Sequence, residues 1–155
     1  MPDNSDPFGP WTGTAMADAD AADLLRTAGW GVLALADGDR PYSIPVSFGY
    51  DGEAVYFLLV RRSPDDRKFA FIGDGQPARL LATRVNARFD WGSVAVTGTV
   101  RAVDRDGEGW GTLIAALGGS DWFSPAFDAA EEVSGVQGWA LEPDRVTGME
   151  VRPDR

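Results

Sequence analysis

The chain has 155 residues, a size at which one domain can bury enough apolar surface to fold without disulfides or a structural metal. Its 24 acidic and 14 basic residues give a formal net charge of -10, which excludes a general nucleic-acid binder and disfavours anionic membrane surfaces. Cysteine and histidine are both absent, and this excludes thiol nucleophiles, Cys/His metal sites and Ser-His-Asp triads.

Residues 1–14 are polar and rich in proline and glycine, which predicts a mobile N-terminal tail. The segment lacks the basic start and apolar run of a secretory signal. Nowhere does the chain reach the roughly 20 apolar residues of a membrane helix. We therefore expect a cytoplasmic protein with no membrane partner. Because residues 15–155 show neither a repeat nor an interdomain linker, we expect them to form a single domain.

The first regular element is predicted to be a helix. Ala21, Leu24 and Leu25 recur at helical spacing, and the helix is expected to stop at Gly29. Three strands should follow, over 30–36, 42–50 and 54–60. They are separated by the turn signals at 37–39 and 51–52. Two tight turns joining three strands predict an antiparallel meander.

The second half of the chain continues in the same style. A helical turn is predicted over 68–72, strands over 78–85 and 91–103, a short helix over 110–117 and a last strand over 136–141, with 146–151 as a short extension. Crossover helices have no room between the first three strands, so a parallel sheet is excluded. The prediction is a mainly β protein, an antiparallel barrel or sandwich with a few short flanking helices.

The clearest candidate for chemistry is a basic segment after the third strand. Residues 61–68 (RRSPDDRK) hold three arginines and Lys68, the only lysine of an acidic chain. These side chains would suit a phosphate group. The alternative is a solvated loop in which Asp65 and Asp66 neutralise the arginines.

A second candidate is the strand that contains Pro45. Proline cannot donate a hydrogen bond within a sheet, so this strand should be an edge or locally irregular. Its backbone could then face a planar heterocycle, with Ser43 and Ser47 on one face. The alternative is that Tyr42, Ile44 and their neighbours are only barrel core.

The remaining candidates are aromatic. Gly92 would permit a close backbone approach beside Trp91 and Ser93, although an ordinary packed strand start explains the same residues. The aromatic residues of the last third suit a pocket, a dimer interface or a satellite core; they are Trp110, Trp122, Phe123, Phe127 and Trp139.

Taken in order, these residues resemble the pyridoxamine 5'-phosphate oxidase-like FMN-binding split-barrel proteins. The resemblance covers about residues 17–105 and the strand after Val136. It depends mainly on the pattern Gly-x-Leu-x-x-x-x-Gly-x-x-Pro-Tyr-x-x-Pro-Val from Gly31 to Val46 and on Ser-Val-x-Val-x-Gly from Ser93 to Gly98.

The resemblance implies a six-stranded antiparallel split β-barrel that forms a homodimer with FMN at the subunit interface. It implies that the second strand runs beside the isoalloxazine ring, that Arg67 and Lys68 anchor the phosphate, and that the fifth strand completes the pocket. The cofactor-binding residues so implied are Tyr42, Ser43, Ile44, Pro45, Val46, Arg67, Lys68, Trp91, Ser93 and Val94. With the resemblance added, the phosphate site is the favoured interpretation of the basic segment.

The expected function is that of an FMN-dependent oxidoreductase acting on a small molecule, with no catalytic side chain assigned. Many relatives carry a histidine after the aromatic of the third strand. Leu58 stands there in this chain, so activity that needs that imidazole is not expected. Two alternatives stay open: a flavin- or heme-binding module without turnover, and a deazaflavin-dependent reductase in the same barrel.

Overall fold

The computed structural model describes residues 8–118 and 135–153 of the chain. Its elements in chain order are α1 (Gly9–Thr12), β1 (Thr14–Ala15), α2 (Asp18–Ala28), β2 (Trp30–Asp37), β3 (Arg40–Tyr50), β4 (Val55–Val60), α3 (Lys68–Phe71), β5 (Pro77–Ala87), β6 (Asp90–Val103), α4 (Gly109–Gly118) and β7 (Val136–Val151). No helix in the described ranges is long and apolar enough to cross a membrane.

Six strands form an antiparallel ring in the order β7-β4-β3-β2-β5-β6, and a second pairing of β6 with β7 closes it. This confirms the mainly β fold predicted from the sequence. A seventh strand, the two-residue β1, pairs with the end of β7 and was not predicted. The two segments expected at 136–141 and 146–151 are one continuous strand, with a register shift opposite Thr97 and Gly98.

The core lies inside the ring because alternate residues of each strand point inward. In β2 the inward residues are Leu33 and Leu35, and in β4 they are Val55, Phe57 and Leu59, all buried. The residues between them face outward and are also apolar in these two strands, so an alternation of apolar and polar residues is visible in β3 and β6 but not in β2 and β4.

Helices close the two ends of the ring. Helix α2 packs Leu24 and Leu25 against one end, and it stops at Gly29, whose φ of 74° is left-handed. Helix α3 lies at the other end, where Phe71 and Ile72 complete the core. Helix α4 lies outside the ring against β3, and it approaches so closely that a Cβ on Gly49 would collide with the backbone of Ala116.

The ring is split between β3 and β4. These two strands pair only from Phe48 to Tyr50, opposite Val55 to Phe57. Residues 40–47 of β3 pair with β2 on one side, and no strand of the described ranges pairs with their other side. Pro45 lies in this unpaired stretch, which confirms that its strand is locally an edge.

Some sequence expectations fall outside the described residues. They include most of the loop predicted around Trp122 and residues 1–7 of the predicted tail. The rest of that segment contains α1, and Thr14 pairs with Glu150 in β7.

Candidate functional site

The basic segment lies at the split end of the barrel, between the end of β4 and α3. The Lys68 ammonium is 2.6 Å from a carboxylate oxygen of Asp66, and both side chains are largely buried. The backbone N–H of Arg62 donates to the same oxygen at 3.2 Å. The hydrogen bond from Lys68 is the main reason that the pKa of Asp66 lies below its usual value. Lys68 therefore has one carboxylate partner, Asp66, among the described residues.

The arginines of the segment are placed differently. The Arg61 guanidinium stacks on the ring of Phe69 at 4.1 Å from its centroid, and the Lys68 Nζ lies 5.3 Å from the same centroid. Among the described residues, neither Arg62 nor Arg67 forms an ion pair. Asp66 pairs with the lysine, and within the described residues neither Asp65 nor Asp66 forms an ion pair with an arginine.

The unpaired edge of β3 presents a defined set of backbone groups. In an antiparallel pair, every second residue directs its N–H and C=O toward the partner strand. Asp37 and Arg40 flank a two-residue turn, and the Phe48 N–H donates to the Gly29 carbonyl. The backbone N–H and C=O groups of the even-numbered residues of β3 therefore point toward β2. Ser43, Pro45 and Ser47 therefore direct their backbone groups to the free edge. Proline has no N–H, and the donors in this stretch are those of Ser43 and Ser47.

An aromatic contact joins the edge strand to α3. The rings of Tyr42 and Phe71 stack with centroids 4.6 Å apart and planes 9° apart, and the Arg40 guanidinium lies 5.5 Å from the Phe71 centroid. Phe71 follows Lys68 by three residues, one helical turn away. The stack therefore fixes the lysine relative to the free edge of β3. Sequence reasoning did not single out Phe71, although its spacing from Lys68 was an available signal.

Within β3, the residues predicted to bind a cofactor point to two sides. Val46 is buried in the core, and Tyr42 and Ile44 pack against it. Ser43 and Pro45 are exposed on the outer face. The structure therefore brings this strand together with Arg67 and Lys68 at the split, but only its backbone and the outward residues can face a ligand there.

The predicted residues of β6 lie elsewhere. In both directions around the ring, two strands separate β6 from β3. Val94 is fully buried in the core, while Trp91 and Ser93 are half-buried on the outer face. A single chain does not bring Trp91, Ser93 or Val94 to the split edge. No group of three or more metal-binding side chains occurs in the parts of the chain that the structure describes.

Comparison with known proteins defines the family. A closed antiparallel ring that opens between two strands is a split β-barrel. Residues 17–150 match the family described as Pyridoxamine 5'-phosphate oxidase, and the chain belongs to that family. No curated protein matches the chain.

Several solved structures share the fold. A FAD-binding protein from Mesorhizobium loti has a TM-score of 0.70 and 17% identity over 90% of this chain and 98% of that one. The FAD binding protein from Mycobacterium smegmatis has a TM-score of 0.64 and 16% identity, again over 90% and 98%. The heme storage protein HutZ from Vibrio cholerae has a TM-score of 0.67 and 16% identity over 86% and 94%.

Proposed function

We propose that the protein is an FMN-binding flavoprotein that acts as an oxidoreductase on a small molecule. The observation that carries the proposal is the free edge of β3 next to the cationic segment that contains Arg67 and Lys68. Family membership and the FAD-binding proteins of the same fold support it. FMN needs both features, because it joins a planar ring system to a phosphate of nearly two negative charges.

The phosphate would be held by Arg67 and Lys68. Because the chain has a net charge of -10, it repels a phosphate overall, and binding needs a local cationic site. Arg67 is exposed and without an ion pair among the described residues, so its guanidinium is available for bidentate hydrogen bonds. Lys68 would share its ammonium between Asp66 and the phosphate.

The ring system would lie along the free edge of β3. One side of the isoalloxazine ring presents an N–H between two carbonyl oxygens. The edge offers N–H and carbonyl groups to this side of the ring: those of Ser43, or the Pro45 carbonyl with the Ser47 N–H. The Ser43 and Ser47 nitrogens are roughly 13 Å apart along the strand, so one ring would use only one of these two N–H groups. Hydrogen bonds to backbone groups would fix the plane of the ring without any charged side chain.

The bound FMN would supply the electron transfer, and the chain would supply binding and orientation. The described residues near the split offer cations, hydroxyls and backbone groups. No side chain among them is proposed as an acid or base. Leu58, in the neighbouring strand β4, contributes only apolar surface there.

The site would be completed by a second copy of the chain. The outer face of β2, β5 and β6 exposes large apolar side chains, with Trp30 and Leu81 each 40% and Val85 72% exposed. The outward-facing residues of these three strands include no Asp or Glu, so two acidic copies could meet there with less repulsion. Trp91 and Ser93 lie on the same face, and a homodimer would bring them to the partner's β3 edge.

The absorbance spectrum of the purified protein tests the cofactor. Bound flavin gives two bands in the blue and near ultraviolet, whereas heme gives a Soret band and a deazaflavin lacks the blue band. Chromatography of the released cofactor separates FMN from FAD. The double variant Arg67→Ala/Lys68→Ala should lose FMN affinity by at least about tenfold, since hydrogen bonds to charged groups contribute roughly 1.5–3 kcal/mol each. The matched control is Arg88→Ala, on the β5–β6 turn. Unchanged affinity in the double variant would remove the phosphate assignment.

Turnover is a separate measurement. Bleaching of the flavin bands by a nicotinamide donor, followed by reoxidation with an acceptor, would identify an oxidoreductase. A flavin that stays oxidised with every donor would instead indicate a binding or sensing module. A heme-binding role would have to use a ligand other than histidine or cysteine, since the chain has neither.

A further inference from the structure

A second cationic site lies on the outer face of the sheet, away from Lys68. Arg79 in β5 is directly opposite Thr97 in β6, and Thr97 is directly opposite Arg145 in β7. The three residues therefore form one row across three strands, and all three are exposed. Neighbouring strands are about 4.8 Å apart, which places the Cα atoms of the two arginines roughly 10 Å from each other.

The row lines an open groove of about 710 Å³. Thr97 and Thr147 are part of its lining, together with both arginines. Of the residues that the structure describes, one acidic residue, Asp18 at the start of α2, lines the same groove. The charged side chains among its described lining residues are thus two cations and one anion, an excess of positive charge on a chain whose net charge is -10.

The two guanidinium groups are available to a ligand. Neither Arg79 nor Arg145 forms an ion pair with any described residue, although acidic residues outnumber basic ones in the chain. The pairing of β6 with β7 is also irregular at this point. Thr97 pairs with Arg145 and the next residue, Gly98, pairs with Pro143, so Asp144 between them has no partner in β6. Asp144 is not among the lining residues of the groove. The bulge thus keeps a carboxylate out of the row and leaves Arg145 in it.

We propose that this groove binds a small, doubly charged oxyanion between Arg79 and Arg145. One carboxylate is satisfied by a single arginine fork, whereas two forks on either side of a threonine hydroxyl suit two negative charges on one ligand. Inorganic phosphate and a short dicarboxylate share this chemistry. The residues of the site all belong to one chain, and none of them is proposed to bind flavin. Arg79 lies two residues before Leu81 on the outer face of β5, so the site borders the face proposed for the homodimer.

Titration of the purified protein, followed through the Nε–Hε signals of its arginines in ¹H–¹⁵N spectra, tests the site. The probes are inorganic phosphate, succinate and acetate at constant ionic strength, because general screening would otherwise move every arginine. The variants Arg79→Gln and Arg145→Gln assign the signals. We expect saturable shifts of Arg79 and Arg145 with phosphate or succinate, at least about tenfold weaker binding in either variant, and no saturation at Arg88. Acetate should bind at least tenfold more weakly than the better dianion.

Two results would overturn the proposal. One is a linear shift that is equal at Arg79, Arg145 and Arg88, which indicates only a general charge effect. The other is loss of the response in Arg67→Ala/Lys68→Ala, or release of bound flavin by phosphate at the same concentrations, which places the anion at the other site. A saturable response that survives in the double variant supports the groove whether or not the protein binds FMN.

Discussion

The ring of Tyr42 on the edge strand lies flat on the ring of Phe71 in α3, with centroids 4.6 Å apart. Phe71 is buried and belongs to the same core as the barrel strands. The contact therefore holds α3, the helix that begins at Lys68, against β3. The edge of β3 that faces away from β2 is unpaired over residues 40–47. A change at Phe71 should loosen α3 without affecting the hydrogen bonds of the sheet.

Phe71→Leu keeps an apolar side chain but removes the aromatic stack. We expect a loss of about 1 kcal/mol in the free energy of unfolding, from the lost ring contact and imperfect repacking. Urea denaturation followed by tryptophan fluorescence measures it. Phe89→Leu, in which the replaced ring is 42% exposed, is the matched control and should change stability by less than about 0.5 kcal/mol. Equal losses in both variants would contradict the role given to the stack.

Gly49→Ala tests the packing of α4 against β3. An added Cβ would overlap the backbone of Ala116, so the helix must shift, at a cost of about 2 kcal/mol or more. Gly111→Ala places the same methyl group on α4 itself, where nothing lies within 4 Å. There the better helix propensity of alanine should stabilise the protein by about 0.5–1 kcal/mol. Opposite signs for the two substitutions in the same urea assay are the expected result, and a neutral Gly49→Ala would show that α4 is not held there.

The fold could be predicted from the sequence because its signals are local. The alternation around Ile44, the turn glycine Gly38 and the stop at Gly29 each determine an element without reference to distant residues. The site was harder because it depends on contacts between distant segments. Nothing in the sequence shows that Phe71 stacks on Tyr42, that Asp66 pairs with Lys68 and not with an arginine, or that β3 and β4 separate after three residue pairs.

The row of Arg79, Thr97 and Arg145 is a second arrangement that could not be predicted from the sequence. Arg79 and Arg145 are 66 positions apart in the sequence and become neighbours of one threonine only through the registers of two strand pairs. Register depends on the whole sheet, and a shift by a single residue would turn one of the arginines to the opposite face. Sequence patterns identified the strands but not this row.

Asp66→Asn should make the pH dependence of unfolding flatter at low pH. The pKa of Asp66 is lowered in the folded protein, mainly by the hydrogen bond from Lys68. Its stabilising contribution is therefore present above the ordinary carboxyl pKa and is lost as the pH falls through the lowered value. Urea denaturation at several values between about pH 2 and pH 7 measures it. Wild type should lose more stability than Asp66→Asn across the acid part of that range, and parallel curves would contradict the assigned pair.

The substitution Asp66→Asn also distinguishes between two effects that Asp66 could have on phosphate binding at Lys68. If the carboxylate competes with the phosphate for Lys68, Asp66→Asn should bind FMN more tightly, because one negative charge is removed beside the ammonium. If it mainly holds the lysine in place, affinity should fall. We expect tighter binding, since the Nζ is also close to the ring of Phe69, which helps to hold it. Flavin fluorescence quenching gives the affinity, and Asp65→Asn, one residue away and exposed, is the control.

Leu81→Arg tests the proposed interface between two copies. Leu81 lies directly opposite Val32 in β2 and Ala95 in β6, in the middle of the outer sheet face. Two arginines would meet near the centre of a symmetric contact, so the dimer should dissociate to monomers in light scattering at micromolar concentration. Thr112→Arg, on the exposed side of α4, adds the same charge elsewhere and should leave the mass unchanged. If the flavin site needs Trp91 and Ser93 from the second copy, monomeric Leu81→Arg should also lose FMN affinity, although Lys68 and the β3 edge are intact. A monomer that keeps full affinity would show that one chain forms the whole site.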